Sequence, residues 1–479
     1  MTPKPAAPGN DSMYSLQDES GPMTIAARLA RFVTSISVDD MPPLALERAQ
    51  MSIASSVASA ALGQGIASVQ AIRAIEQESG GAAQSTVWFD GGKLPAPGAA
   101  RVNAVASDAA ASDDSDMRSI AHIGTIVSAA SIAMAERLGR GGADVLTAMV
   151  LGYEVAGRID EALTPGRMQR GFHGSVSTIF GAAVAGGRLL ALSEARMTHA
   201  IALAATSIGG LAIAADTSCA REYHASLSAM LGIHAALAAA RGFTAEPNSL
   251  EAPRGFFHAL GGQALEDVTA GLGESWDIVT DMAIKLMPGG HPFHAIAEAA
   301  ASAATEGDVD PREVESIVIS AAQMRDWGSQ SHPRDLIGAA HSVVYFVAAS
   351  VADRRFGWEH MQAAKMTDPL ITVLQDKVVF DPDPAPLPDR FTHRHGGTVS
   401  IRMRSGRTFT HTCKAPRGSG ARGVEWTDVD AKYRRLVPLS GLAPAQVEAS
   451  LSMIHEFDRQ QSMADFVAAL RVARINAGR

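Results

Sequence analysis

A mainly α protein, with a large helical domain discontinuous in sequence and a smaller α+β domain, is the fold class this sequence predicts. Three observations carry it. Aromatic residues make up only 5% while alanine and 44 glycines abound, so helices must pack closely through small side chains. From about residue 22 to 277 one helical pattern follows another. Near residue 278 the texture changes to short β-branched runs bounded by turn residues.

The elements follow in order. Residues 1–21, with their Pro, Gly and Asn content, read as a flexible tail. In the helical domain, 22–277, the segment 126–138 is apolar and small, and Gly139 supplies its stop. Asp144 is placed to cap the next helix, which runs to Asp160. Ser193 opens a helix over 193–211 that is apolar nearly all round and therefore buried on most sides. The segment 226–241 repeats the theme, ended by Gly242. In the α+β domain, 278–412, residues 315–322 and 376–382 read as strands, and TVSIRMRSGRTFTHT as a hairpin turning at Ser405 and Gly406. Helical patterns at 293–306 and 340–355 accompany them. Residues 413–479 open on a Gly-rich stretch and turn helical from Asp428; they are too few to enclose a core and are expected to return to the first domain.

Composition excludes several function classes. At 479 residues the chain exceeds what one core usually fills, and 47% hydrophobic with 19% charged residues places it among compact proteins rather than disordered ones. A formal charge of -9 gives no electrostatic case for nucleic acid or an anionic membrane as partner, so any anion site must be local. Cys219 and Cys413 cannot build a disulfide framework and read as reduced, buried thiols. The N-terminus lacks the basic patch and apolar core of a signal peptide, and glycines and charges break every apolar run before membrane-span length; a cytoplasmic protein is expected.

Chemistry concentrates in five clusters. The stretch SDDSDMRSIAHIG crowds Asp113, Asp114, Asp116, Arg118 and His122 between a polar loop and an apolar helix, where acid/base chemistry or anion binding would be sought. His173 lies in the glycine-flanked loop before the helical pattern 175–192, as a helix cap or as a site residue. Arg221 and His224 stand three apart and share a face if helical. Lys285, His291 and His294 surround a Pro-Gly turn at the domain boundary. The fifth cluster, His341 and Ser342 leading to Tyr345, reads as a helix start, with Tyr345 in the core. His291 and His294 lack an HExxH arrangement, so no metal is expected; the glycines at 139–142 follow a helix rather than a strand, and no GxSxG elbow occurs. What remains is imidazoles, carboxylates and cations without a cofactor, suited to moving protons on a small anion.

The segments TVWFDGGKLPAPGAARVNAVASDAAASDD, GYEVAGRID, GFHGSVSTIFGAAVAGGRLLALS, REYHASLSAMLGIHAALAAARGF and KLMPGGHPFHAIAEAA, in this order, resemble successive blocks of the MmgE/PrpD family. That family includes 2-methylcitrate dehydratase, cis-aconitate decarboxylase and iminodisuccinate epimerase. The resemblance implies a helical main domain with an α+β lid, a site between them, a homodimer, and cofactor-free catalysis on small polycarboxylates. It carries the family's histidines onto His122 and His173, its Lys-x-x-His block onto Arg221 and His224, and its Lys-x-x-Pro block onto Lys285 and Pro288, with His294 beyond. The chain departs where the family reads Asp-Phe-Asp-Asp-Thr: the leading aspartate is replaced by Ala111, with Asp108 and Asp116 as the neighbours able to stand in.

On this basis the expected function is a cofactor-independent, 2-methylcitrate dehydratase-like lyase that removes a proton next to a carboxylate. His122 and His173 are the expected base and acid, helped by Asp113 and Asp114. Arg118, Arg221, His224, Lys285 and His294 are the expected carboxylate binders. An epimerase or decarboxylase of the same family shares the enolate-like state, and a catalytically silent scaffold is the alternative of another class.

Overall fold

The computed structural model of the chain describes residues 22–472 except 208, 323, 325–330, 386 and 388–394. The expected tail, 1–21, lies outside the described residues.

Two hydrophobic cores organise the fold. The first is built by the helices Pro43–Gly63, Ala96–Ala109, Ile123–Leu138, Gly142–Leu163, Ser175–Leu189 and Ala220–Ala240, which bury Val57, Val105, Ile126, Leu151, Phe180 and Ile233 together. Small residues set their spacing. A Cβ on Gly152 would stand 2.6 Å from the carbonyl oxygen of Gly181, so two of these helices cross at a pair of glycines where no larger residue fits. The C-terminal helices Trp426–Leu436, Pro444–His455 and Met463–Ala469 belong to this same core through Tyr433, Ile454 and Phe466.

The second core lies between a four-stranded sheet and the helices His294–Glu306 and Val343–Asp353. Val314–Ser320 pairs parallel with Val378–Phe380 and antiparallel with Gly397–Met403, which pairs in turn with Thr408–Cys413. Along Gly397–Met403 the burial alternates, with Val399, Ile401 and Met403 turned to the core while Arg402 is exposed, as period-two geometry requires.

Several boundaries differ from the sequence reading. The helix expected at 126 starts at Ile123, with His122 at its N-cap position. Asp144 is not a cap; Gly141 takes that position, and Asp144 sits in the first turn, where it faces the positive end of the helix dipole. The helix expected over 193–211 stops at Ala204, ahead of Gly209 and Gly210, and a separate short helix covers Ala212–Thr217. The helix expected from 226 begins at Ala220, which puts Arg221 and His224 in its first turn. Ser342 caps Val343–Asp353, its hydroxyl accepting from the Tyr345 amide at 3.1 Å, and Tyr345 is buried as expected. Cys413 is buried, whereas Cys219 is exposed beside the start of Ala220–Ala240, so the expectation of two buried thiols holds for one.

Among the described residues no single helix is long and apolar enough to cross a membrane; a bent pair, Pro43–Gly63 with Ala67–Ser79, reaches the length but turns by 97°.

Candidate active site

The acidic loop is positioned by a short ladder. Asp114–Asp116 pairs antiparallel with Met282–Ile284, Asp114 standing opposite Ile284. Continuing that register sets Asp113 across from Lys285, and the lysine ammonium meets Asp113 Oδ1 at 3.1 Å, both side chains being buried. The loop is held at strained points: Ala111 and the β-branched Ile120 both adopt left-handed backbone, at φ 50° and 61°. The Ala111 carbonyl accepts from the Gly289 amide at 2.8 Å, and the Gly290 amide donates to the Ala340 carbonyl at 2.8 Å, so the turn after Lys285 is clamped to both cores.

His122 occupies the centre. Its Nδ1 lies 2.6 Å from Asp108 Oδ1 and 2.8 Å from Asp113 Oδ2, which leaves Nε2 as the ring atom able to meet a substrate. Thr125, one turn into the helix, donates to Asp113 Oδ2 at 3.1 Å. Gly124 follows from the same crowding: a Cβ there would fall 1.8 Å from Asp114 Oδ2 and 2.3 Å from Ser52 Oγ. Asp108, in the last turn of Ala96–Ala109, also accepts from Arg221 Nε at 3.1 Å, while Arg221 Nη2 donates to the carbonyls of Asp108 (2.8 Å) and Ala109 (3.3 Å).

The electrostatics follow from these contacts. Burial works to raise Asp108, but Arg221 and then His122 hold it well below the usual carboxylate range. Asp113 is likewise lowered, against burial, by His122 and Lys285. Burial works to lower His122, yet Asp113 and Asp108 outweigh it and raise the imidazole above its ordinary value, favouring imidazolium. Two cations, Arg221 and Lys285, thus pair with the two carboxylates Asp108 and Asp113, and His122 bridges both.

The other expected site residues divide. Gly174 takes the N-cap position of Ser175–Leu189, and His173, one residue before it, accepts from the Ser175 amide at 3.3 Å through Nδ1 while its ring faces His224 with centroids 6.3 Å apart. Burial, with His122 and Arg167 adding to it, lowers His173 to about 3, leaving it neutral. His224 is lowered by burial, and its Nδ1 has no hydrogen-bond partner among the described residues. His294 is buried and lowered to about 3 by burial and by Lys285. Asp114 turns away from His122 to accept from Ser52 at 2.6 Å, and burial lifts it to about 6.

Arg118 departs from its expected role. Its guanidinium is engaged by Asp116, Glu161, Asp277 and Asp281, a structural ion network that leaves no free fork for a ligand. Arg221 too spends its fork on the protein, gripping Asp108 rather than presenting itself to a ligand. Asp116, one of the two neighbours considered for the missing aspartate, belongs to the Arg118 network, whereas Asp108 reaches His122.

Four members carry no site role in the sequence reading: His291 and His341 appear there only as cluster residues, Ser115 only within the acidic stretch, and Lys432 not at all. Ser115 bonds His291 Nδ1 at 2.6 Å, and His291 stacks near His294 with centroids 4.6 Å apart, so the second histidine of that cluster is in the site. His341 comes from the second core; burial and then Arg221 lower it to about 4. Lys432 arrives from the C-terminal helices. The sequence places His291 beside His294 but does not show that Ser115 meets them, and nothing in it marks a lysine 320 positions from the loop that it touches.

Asp108, Asp113 and His122 also form the group, among the described residues, whose ligand atoms lie within 4.8 Å of one another. They fit a proton better than a metal: the Nδ1 that would bind an ion already lies within hydrogen-bond reach of both carboxylates, and Arg221 and Lys285 pair with the other oxygen of each.

Comparison with known proteins gives this geometry a family. The chain is 26% identical over 292 residues to the cis-aconitate decarboxylase-like protein oryM of Aspergillus oryzae, covering 57% of this chain and 60% of that one. It is 28% identical over 282 residues to cis-aconitate decarboxylase of Aspergillus terreus, covering 55% of this chain and 57% of that one. The match thus spans less than two thirds of either relative. The MmgE/PrpD N-terminal domain matches residues 27–267 and the MmgE/PrpD C-terminal domain residues 287–457; Lys285, which pairs with Asp113 of the first stretch, lies in the short segment between them. This chain belongs to the MmgE/PrpD family.

Proposed function

We propose that the chain is a cofactor-independent lyase acting on a small di- or tricarboxylate. The observation that carries this reading is His122, whose Nδ1 lies within hydrogen-bond reach of Asp108 and Asp113 beside the Lys285 cation, a setting that favours the imidazolium. An imidazolium whose Nδ1–H is fixed by two carboxylates donates its proton from Nε2, and a buried cation beside it stabilises the enolate that forms next to a carboxylate. In a dehydration, neutral His173 takes the proton from the carbon at Nδ1, giving up the bond it accepts from the Ser175 amide, the electron pair moves into the carboxylate held near Lys285 and His294, and the hydroxyl leaves with the His122 proton. Arg221 positions Asp108 and does not touch substrate in this scheme.

A second reading within the same class is decarboxylation of an acid resembling cis-aconitate. The names of the two Aspergillus relatives favour it. Here carbon dioxide departs, its bonding electrons stay on carbon, and the His122 proton quenches them; only a donor is needed, which the protonated His122 supplies. The test is incubation of the protein in deuterated water with citrate, 2-methylcitrate and cis-aconitate, followed by NMR of the products. New olefin marks dehydration, released carbon dioxide with one deuterium in the product marks decarboxylation, and no turnover or exchange with any of the acids defeats the lyase reading in favour of a silent scaffold.

A further inference from the structure

Lys432 is a buried ammonium that the scheme above does not use. It lies in the helix Trp426–Leu436, which packs on Pro43–Gly63, and its side chain is 3% exposed. A methionine would fill such a position without the desolvation that an ammonium suffers, so the charge requires a reason. Its contacts supply one. The Nζ donates to Ser55 Oγ at 2.8 Å and to the main-chain carbonyl of Ser112, and lies 5.8 Å from the ring centre of Trp358. Ser112 directly precedes Asp113, the carboxylate that bridges His122 and Lys285.

We propose that Lys432 is a positioning residue that fixes the acidic loop from outside it, by anchoring the Ser112 carbonyl so that Asp113 reaches His122 and Lys285 together. The C-terminal helices are then part of the site's machinery and not only its packing. One ammonium ties a core helix (Ser55), the loop (Ser112) and a segment that follows the second core's helix Val343–Asp353 (Trp358). The titratable groups within electrostatic reach of it are Asp113 and Asp114 on the loop, Lys285 beyond the facing strand, and His294; Ser55 and Trp358 carry no charge. Burial brings the Lys432 ammonium down to about 7, with Asp113 and Asp114 opposing, so its charge is sensitive to the state of the loop that it holds.

The test compares the full chain with Lys432→Met and Lys432→Arg. Amide hydrogen exchange is read over residues 110–118, and turnover and KM are read on whichever of citrate, 2-methylcitrate and cis-aconitate the parent converts. Loss of one charge-assisted hydrogen bond should speed exchange of the loop amides by about tenfold in the Met variant and lower kcat by a similar factor with KM little changed. The Arg variant, which keeps charge and donors, should recover much of both. Parental exchange in the loop, or a rise spread equally over Pro43–Gly63 and Trp426–Leu436, overturns the proposal, as does an effect confined to KM. Should the Met variant fail to fold, Lys432→Gln, whose shorter uncharged side chain likewise loses the charge-assisted bond, carries the same comparison. The proposal rests on the lyase reading only for turnover. Because exchange is read without substrate, a parent that converts none of the acids defeats that reading while the loop data still decide on Lys432.

Discussion

Replacing Asp108 by asparagine tests the central claim that two carboxylates hold His122 charged. The side chain keeps its shape but loses the charge that faces His122 Nδ1 at 2.6 Å and Arg221 Nε at 3.1 Å. An opposite charge at such range moves an ionisation by roughly 1–3 units. Asp113 remains at 2.8 Å, so the His122 value should fall by about one to two units rather than collapse. Ring NMR of His122 across pH reads this without any substrate, and the alkaline limb of turnover, where the imidazolium is lost, should move acidward by the same amount. Stability changes with a defined sign. Asp108 is depressed in the fold, so its contribution is present above the ordinary value of 3.8 and is lost as pH falls through its lowered one. His122 is raised, so its contribution is full below 6.5 and is lost as pH rises through its higher one. The parent therefore gains from both groups between these limits. The variant loses most there, by about 3 kcal/mol, because Arg221 is left buried without its carboxylate. A His122 titration that does not move in Asp108→Asn would refute the reasoning.

Three further outcomes are expected. Arg118→Met should destabilise the chain by about 3–5 kcal/mol in chemical denaturation, since Asp116, Asp277 and Asp281 lose their shared cation, while KM stays at the parental value; a raised KM without loss of stability would return Arg118 to the site. Gly124→Ala should lower thermal stability by about 1–3 kcal/mol, because its methyl group must displace Asp114 from Ser52; an unchanged melting curve would show that the close contact is not required. His173→Ala should lower turnover about 100-fold with the fold intact by circular dichroism, and near-parental turnover would remove it as the proton acceptor.

How much of this was legible in the sequence depends on the range of the interaction. The helices, the hairpin and the change of texture near residue 278 are local, and periodicity with Gly, Pro and Ser punctuation was enough to find them. Boundaries moved where tertiary contact prevailed over local signal. The helix bearing Arg221 begins six residues early because Asp108, on another helix, fixes its first turn, and the helix expected to reach 211 stops before Gly209. His122, His173, Arg221, His224, Lys285 and His294 could be named because each sits beside a turn or a motif. Their partners could not be read in the same way. A three-residue ladder, Asp114–Asp116 with Met282–Ile284, leaves no pattern in either stretch, yet its register sets Asp113 across from Lys285. The misassignment of Arg118 has the same origin: residue type made it a carboxylate binder, and only the fold shows that the carboxylates are Asp116, Glu161, Asp277 and Asp281 of its own chain.

The departure at Ala111 joins with the arginine at 221 in one geometric argument. A residue at 111 has left-handed backbone and lends its carbonyl to Gly289, so its role there is met by the main chain. The acidic group that meets His122 instead comes from Asp108, three residues back and inside the helix Ala96–Ala109, where Arg221 grips it. Arginine suits this task because its fork reaches the Asp108 carboxylate with Nε and the carbonyls of Asp108 and Ala109 with Nη2, a division of donors that a single ammonium cannot reproduce. Arg221→Lys keeps the charge, so the ionisation of His122 should stay near its parental value. It releases the helix end that carries Asp108, so kcat should fall by about tenfold, the loss expected from roughly one hydrogen bond to a charged group, while KM changes little. Arg221→Ala removes the charge as well, and the His122 value should then rise, since Asp108 loses its other cation and pairs more fully with the imidazole. Steady-state kinetics with ring NMR of both variants separates the cases. A KM raised in both with kcat held would show that Arg221 grips the substrate after all, and that Asp108 is placed by something else.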